Sequence, residues 1–160
     1  MTTTIRPAAL ADTPALGRLG ALLVEVHHRF DPDRFIAPEP GMAGEYGGFL
    51  ASQIGQEGMV VLVAEDAGAV IGYTYAGLEG SDWLTLRGPA GVIYDLMVDP
   101  EHRRQGVGRR LLEETIATLK RLGAPQVQLS TAEPNATAQQ LFASMGFRPT
   151  LIEMTRQIPR

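Results

Sequence analysis

The sequence predicts an α/β (α+β) fold in which a central mixed, mostly antiparallel sheet is flanked by helices. Runs rich in β-branched residues alternate with longer runs whose apolar residues lie three and four positions apart, and glycine or proline separates them. With 160 residues, 44% of them hydrophobic and 20% charged, the composition is that of a single globular domain covering residues 1–160. The predicted order is β-α-α-β-β-β-α-β-α-β, with room for one more strand at the end.

The first third of the chain predicts one strand and two helices. A short strand over residues 3–6 precedes a helix over 12–30, whose apolar residues fall at helical spacing: Leu16, Leu19, Leu23, Val26 and Phe30. A loop rich in proline and glycine covers 31–42. A second helix is predicted over about 43–56, although two adjacent glycines inside it lower its helix propensity.

A hairpin and a third strand occupy the middle of the chain. The apolar runs 59–65 and 69–78 are separated by an Asp-Ala-Gly turn, which predicts an antiparallel pair. A loop over 79–89 follows. The next strand, 92–98, ends at an Asp-Pro pair, because proline cannot continue the hydrogen-bond ladder.

The last third predicts a helix from about residue 106 to 122, a strand over 126–131 and a short helix over 135–145. A strand, a helix and a second strand in this order favour a parallel βαβ unit. The segment 147–158 is predicted as a final strand with an irregular start at Pro149.

Residues 103–109 place two glycines and three arginines where a helix is predicted to begin. Unpaired backbone N–H groups and the helix dipole favour an anion there, and glycine lets it approach closely. The alternative is a tight turn with solvated arginines. A dinucleotide fingerprint lacks its third glycine, since position 111 is Leu, and a P-loop lacks the lysine that should follow Gly108.

Residues 95–112 resemble the acetyl-CoA-binding motif of the GNAT superfamily of N-acetyltransferases. The pattern (R/Q)-x-x-G-x-(G/A) matches Arg103, Gly106 and Gly108, and it follows a strand that ends in V-x-P. Residues 135–147 are similar to the family's second pattern, N-x-x-A-x-x-L-(Y/F)-x-x-x-G-F. The two matches stand in the family's order.

The resemblance implies that an acetyl group passes from acetyl-CoA to a primary amine by direct attack in a ternary complex. It implies that the pantetheine arm pairs with the strand over 92–98, that backbone N–H groups hold the pyrophosphate, and that an N–H near Leu96 or Met97 faces the thioester oxygen. The residues implied to contact the cofactor are Leu96, Met97, Val98, Arg103, Arg104, Gln105, Gly106, Val107, Gly108, Arg109, Asn135 and Phe142. Asn135 has an alternative part as the cap of the last helix.

The catalytic candidates are Asp95 and Tyr94. Members of the family often carry a glutamate base at the position of Tyr94, and here the neighbouring Asp95 is the acid within an apolar strand, where burial would raise its pKa. Glu79 and Glu133 are weaker candidates. The tyrosine that protonates the leaving thiolate in many members is replaced by Phe142, so Tyr94 or water would take that part, or the thiolate would leave unassisted.

The residues predicted to contact the acceptor are His27, Phe30, Glu79 and Trp83. His27 and His28 are adjacent on a helix and diverge by about 100°, so they do not predict a metal site. A non-catalytic sensor or interaction module that binds acyl-CoA on the same fold is the alternative function, and a nucleotide-binding regulator is a third.

The net charge of −4 disfavours a nucleic-acid partner, and the absence of cysteine excludes an acyl-cysteine intermediate. No apolar run reaches the length of a membrane span, and no leader is evident, so a cytoplasmic location is expected. The expected partner is a small-molecule or peptide amine, and the resemblance allows a homodimer formed through the C-terminal strands.

Overall fold

The computed structural model describes residues 2–160. Its helices and strands are β1 Thr4–Pro7, α1 Thr13–Phe30, α2 Met42–Gln53, β2 Met59–Asp66, β3 Ala69–Glu79, β4 Ala90–Val98, α3 Val107–Arg121, β5 Val127–Leu129 and α4 Ala136–Ser144. Short 3₁₀ turns precede α1 and α3. The predicted fold class is confirmed, and the predicted helices and strands up to α4 are present within a few residues of their predicted bounds.

The five strands form one sheet in the order β1-β2-β3-β4-β5. Neighbouring strands are antiparallel except for β4 and β5, which are parallel. The β2–β3 hairpin turns through Ala67 and Gly68, both with positive φ, as a tight two-residue hairpin turn requires. The predicted βαβ unit is therefore β4-α3-β5.

Helices cover both faces of the sheet. On one face α3 and α4 bury an apolar core with the strands, centred on Leu111, Leu112, Leu119 and Phe142. On the other face α1 and α2 bury a second core that includes Leu16, Leu19, Leu50 and Tyr73. Strand residues alternate between these two cores, as the period of two in a β-strand requires.

The α1 and α2 backbones touch directly through two glycines. A Cβ atom on Gly17 would overlap the carbonyl oxygen of Ala43, and one on Gly47 would lie 2.8 Å from the carbonyl oxygen of Thr13. A Cβ on Gly20 would meet the ring of Tyr46. At Gly17 and Gly47 the two helices therefore pack at a distance that leaves no space for a side chain between them.

The predicted final strand over 147–158 is wrong. Residues 147–160 have extended or irregular backbone without strand pairing. Strand β5, the edge beside which a further strand would pair, has only three residues, and Pro149 lacks an N–H donor. The segment instead contacts the loop after α1, where Glu153 pairs with Arg34 and the Gln157 side chain donates to the carbonyl of Asp33 at 2.8 Å.

Candidate active site

A cavity opens where β4 and β5 part. The two strands pair through three residues each, ending at Ile93 and Leu129, while β4 continues to Val98 and no strand within residues 2–160 pairs with it on that side. The cavity has a volume of about 260 Å³ and lies among α1, the loop after it, β4, β5 and α4. The free edge of β4 therefore carries unpaired backbone groups beside a concave, largely apolar wall.

A bulge in β4 turns two consecutive side chains towards the α1–α2 face. The register against β3 shifts so that Asp95 pairs with Tyr75 and Ile93 pairs with Ala76, which leaves Tyr94 as the extra residue. The ring of Tyr94 lies 4.8 Å from that of Tyr75, and Asp95 contacts the tyrosines of the same face. Both predicted catalytic residues line the cavity as a result.

Asp95 is the charged residue at the centre of a buried hydrogen-bond network. Its side chain is buried, and its Oδ2 atom accepts hydrogen bonds from Tyr46 at 2.7 Å and from Tyr73 at 2.9 Å. Burial raises the pKa of Asp95, and the two tyrosine hydroxyls partly oppose that shift. Its Oδ1 atom has no hydrogen-bond partner among the described residues. Neither Tyr46 nor Tyr73 could be connected with Asp95 from the sequence, because both reach Asp95 only through the tertiary fold.

The hydroxyl of Tyr94 is directed to a different carboxylate. It donates to Glu79 at 2.7 Å, and Glu79 also pairs with the buried guanidinium of Arg87 at 2.5 Å. Burial is the main reason that the pKa of Tyr94 is raised, and the hydrogen bond to Glu79 raises this pKa further. Tyr94 is thus a weak proton donor in this arrangement, and Glu79 reaches the cavity only through Tyr94.

His27 lies in the last turn of α1 and lines the cavity with Asp95. Its Nδ1 atom is 2.8 Å from the carbonyl oxygen of Leu23, and its ring meets Phe30 and Phe35 edge to face. Phe30 supports His27 and does not line the cavity. His28 points away and contacts the Phe35 carbonyl at 3.0 Å.

The remaining predicted acceptor residue lies apart from this group. Trp83 is 86% exposed in the loop between β3 and β4 and is not part of the cavity wall. Phe35 and Ile36, which the sequence did not single out, do line the cavity from the loop after α1. A loop rich in proline and charged residues carries no periodic pattern from which its apolar contacts could be predicted.

The glycine loop forms the N-terminus of α3. Gly106 caps the helix with φ of 79°, and the first bond of the helix runs from the N–H of Arg110 to the carbonyl of Gly106. The N–H groups of Val107, Gly108 and Arg109 therefore lie in the first turn, where helical N–H groups lack partners within the helix. An added Cβ on Gly108 would make ordinary contacts with Leu141 at 3.5 Å and Val98 at 3.8 Å, so a small side chain fits there.

The arginines around this helix end carry charge that no carboxylate neutralises within residues 2–160. Arg103 donates to the carbonyl of Val98 at 3.2 Å, Arg109 donates to Ser144 at 2.6 Å, and Arg104 has φ of 60°. Gln105 donates weakly to the carbonyl of Glu101. Positive charge and free N–H groups together suit a phosphate or pyrophosphate group.

The predicted cofactor residues between the glycine loop and the cavity divide by face. Leu96 lines the cavity, whereas the side chain of Met97 is buried in the α1–α2 core, so Met97 offers only its backbone to the open edge. Asn135 and Phe142 line the opposite wall. Asn135 also caps α4 by accepting from the N–H of Ala138 at 3.2 Å, so its capping part is present.

Two structural features are absent from residues 2–160. No helix there combines the length and apolar character that crossing a bilayer requires. No cluster of three or more His, Asp or Glu side chains with the spacing of a metal site occurs in that part of the chain.

Comparison with known proteins gives relatives that are named as acetyltransferases. Mycothiol acetyltransferase from Thermobispora bispora is 39% identical over 89 residues, which are 53% of this chain and 28% of that protein. The [ribosomal protein bS18]-alanine N-acetyltransferase of Escherichia coli K12 is 38% identical over 60 residues, which are 38% of this chain and 40% of that protein. The chain thus matches well under half the length of these curated relatives.

Solved structures share the whole fold. A mutant of the BH1408 protein from Bacillus halodurans has a TM-score of 0.80 at 25% identity and covers 98% of this chain and 99% of its own. An aminoglycoside N-acetyltransferase, AAC(6')-Iy in complex with CoA, has a TM-score of 0.72 at 16% identity, which shows the fold alone. A sequence profile described as the acetyltransferase (GNAT) family matches residues 23–147, a span that contains the cavity, the glycine loop and α4. The chain belongs to the GNAT acetyltransferase family.

Proposed function

We propose that this protein transfers an acetyl group from acetyl-CoA to a primary amine by direct attack in a ternary complex. The observation that carries the proposal is the free edge of β4, which runs from a buried carboxylate at Asp95 towards the positively charged start of α3. Acetyl-CoA supplies the acetyl group as a thioester. The relatives named for acetyltransferase activity support the same reaction class.

The chain offers hydrogen-bonding groups for the pyrophosphate and for the extended arm of the cofactor. The N–H groups of Val107, Gly108 and Arg109 and the charges of Arg103 and Arg104 suit the pyrophosphate. Leu96, Met97 and Val98 offer backbone groups for pairing with an extended arm, with Asn135 and Phe142 on the other side of the cavity. A backbone N–H near Leu96 or Met97 would stabilise the oxygen that gains charge during attack.

Asp95 stays a proposed catalytic residue of the amine side, and Tyr94, the other candidate from the sequence, lines the cavity beside it. Amines are protonated near neutral pH, and the carboxylate of Asp95 supplies the negative charge that would draw an ammonium group to the cavity. Tyr94 shapes the wall beside it, and its bond to Glu79 argues against a part as proton donor, which leaves water or an unassisted thiolate.

The acceptor is proposed to be a small molecule or a peptide that carries a primary amine. The named relatives include a mycothiol acetyltransferase and a [ribosomal protein bS18]-alanine N-acetyltransferase, so a small-molecule and a protein acceptor both occur among their names. A homodimer and a cytoplasmic location stay predictions from the sequence.

One observation favours a second function, an acyl-CoA sensor without turnover. Phe142 is buried against Phe147 at a centroid distance of 6.0 Å and lines the cavity where many members of the family carry a tyrosine. Such a sensor would have the fold and the cofactor site of an acetyltransferase, but it would not transfer the acetyl group.

Isothermal titration with acetyl-CoA and CoA, with ATP and NAD as controls, tests the cofactor assignment. We expect binding of the two CoA compounds and none of the controls. Thiol release from acetyl-CoA is then followed with a panel of tyramine, spermidine, glucosamine and a peptide with N-terminal alanine. Turnover with any of them supports the enzyme, whereas CoA binding without turnover on the whole panel supports the sensor.

A further inference from the structure

The acceptor nitrogen must lose a proton, and the cavity contains a second group that can accept it. His27 lines the cavity beside Asp95, and its Nδ1 atom lies 2.8 Å from the carbonyl oxygen of Leu23. A carbonyl oxygen only accepts hydrogen bonds, so Nδ1 must carry the proton. The neutral ring therefore has its lone pair on Nε2.

The Nε2 atom is open. It has no hydrogen-bond partner among the described residues, and it does not belong to the buried nitrogens without partners there, which are Arg87 Nε and His102 Nδ1. Phe30 and Phe35 meet the ring edge to face at centroid distances of 6.2 and 5.1 Å, so its orientation is fixed. His27 thus offers a basic nitrogen with a fixed tautomer and a fixed direction.

Asp95 suits a role other than that of proton acceptor. One of its oxygens already accepts two tyrosine hydroxyls, and its side chain is buried, whereas the ring of His27 is half-buried. We propose that Nε2 of His27 takes the proton from the acceptor ammonium and that the carboxylate of Asp95 is the anionic partner of that ammonium group in the cavity. This assignment rests on the acetyl transfer proposed above, and it replaces the prediction that Asp95 itself is the base.

The proton balance is complete. The ammonium loses one proton to Nε2, which makes an imidazolium with both nitrogens protonated. The amine nitrogen then forms its bond to the acetyl carbon, the carbon–sulfur bond breaks, and the second proton from nitrogen ends on the thiolate. The imidazolium afterwards releases its Nε2 proton to water.

The charges near the ring are few. From β4 come Asp95 and Tyr94, and Tyr46 of α2 and Tyr73 of β3 are bonded to Asp95. Arg34 of the following loop lies over the Phe35 ring at 4.9 Å. On its own helix Glu25, His28 and Arg29 are the nearest ionisable residues, and the part of the cavity wall from β5 and α4 is uncharged. Asp95 is therefore the one carboxylate among the described residues that line the cavity with His27.

The first experiment needs no acceptor. Two-bond ¹H–¹⁵N correlation spectra of the ¹⁵N-labelled protein report the tautomer of each of its three histidines, and His28→Asn and His102→Asn assign the signals. We expect neutral His27 to carry its proton on Nδ1. A proton on Nε2 would overturn the proposal.

The second experiment uses the amine of the panel that wild-type protein acetylates fastest. His27→Asn is expected to lower kcat about 100-fold at pH 7 and to abolish its decline on the acid side, with CoA binding unchanged. His28→Asn changes the adjacent residue, which contacts the Phe35 carbonyl and does not line the cavity. This variant should keep the wild-type kcat and the decline of kcat on the acid side. An acid limb that survives in His27→Asn and disappears in Asp95→Asn would assign the proton to Asp95. Absence of turnover by wild-type protein would overturn the proposed function and this assignment with it.

Discussion

Two adjacent residues of β3 carry buried polar networks of opposite character on the two faces of the sheet. Thr74 bonds the hydroxyl of Thr115 at 2.7 Å, and Thr115 donates to the carbonyl of Leu111, which closes a neutral chain inside the α3 face. Tyr73 points the other way and, with Tyr46, bonds the carboxylate of Asp95. In the Thr74–Thr115 network both hydroxyls have hydrogen-bond partners. In the Asp95 network a carboxylate lies beside the cavity, and its Oδ1 atom has no hydrogen-bond partner among the described residues.

The difference separates stability from chemistry. A neutral pair of hydroxyls with all partners present contributes modestly to folding and is costly only when broken. A buried carboxylate opposes folding, so its place beside a cavity is better explained by the reaction than by packing. Substitutions in the Thr74–Thr115 network should therefore change mainly stability, whereas substitutions in the Asp95 network should change mainly activity.

The largest effect is expected from Asp95→Asn. Removal of the charge should lower kcat/KM for the amine by about 100-fold or more, because the ammonium loses its anionic partner. Tyr46 and Tyr73 can still donate to the amide oxygen, so the fold should be kept. Steady-state kinetics and acetyl-CoA titration check this, and an unchanged amine kcat/KM would remove Asp95 from the site.

The same variant gives a stability test with a defined sign. Burial raises the pKa of Asp95 above its ordinary 3.8, so the ionised form is disfavoured in the folded protein. Wild-type protein should accordingly lose stability relative to Asp95→Asn as the pH rises above about 4, while the carboxyl ionises. Paired urea unfolding at several pH values measures this, and a difference independent of pH would contradict it.

Gly108→Asp tests the cofactor side of the α3 face. The substitution puts a negative charge at the start of α3, and we expect about 100-fold weaker CoA binding because that end favours anions. An added Cβ fits there at ordinary contact distances from Leu141 and Val98, so the melting temperature should barely change. Gly108→Ala adds bulk without charge and should weaken binding much less. Equal affinities of all three proteins would contradict the phosphate assignment.

Gly17→Ala acts on the helices behind the Asp95 network. The added methyl overlaps the carbonyl oxygen of Ala43, so α2 must shift, and overpacking of this kind costs about 2–3 kcal/mol in the free energy of unfolding. Chemical denaturation measures it. Gly44→Ala in α2, where a Cβ meets nothing within 4 Å, is the matched control and should be neutral or slightly stabilising.

The smallest effect is expected from Thr115→Val. Loss of the hydroxyl leaves Thr74 without its buried partner and should cost about 1 kcal/mol of stability. Turnover and CoA affinity should stay at the wild-type level, because this network lies on the face away from Asp95. A marked loss of activity in a folded variant would show that the two faces are coupled.

The α3 face was largely predictable because its signals are local. The helix spacing, the glycine loop and the cap at Asn135 each depend on residues within one or two turns. The Asp95 network was not predictable in the same way: Tyr46 reaches it across 49 positions of sequence, and the bulge at Tyr94 has no sequence signal of its own. The final strand failed for a related reason, since an apolar run forms a strand only where an edge of sufficient length is free.

The direct backbone contact of Gly17 with Gly47 has one more consequence. At this contact the two helices have no side chain between them, so they are displaced together, and α2 carries the Tyr46 hydroxyl that bonds Asp95. A rigid displacement of the pair withdraws this donor and favours the protonated carboxyl. The ionisation state of Asp95 therefore depends on where α1 and α2 lie relative to β4.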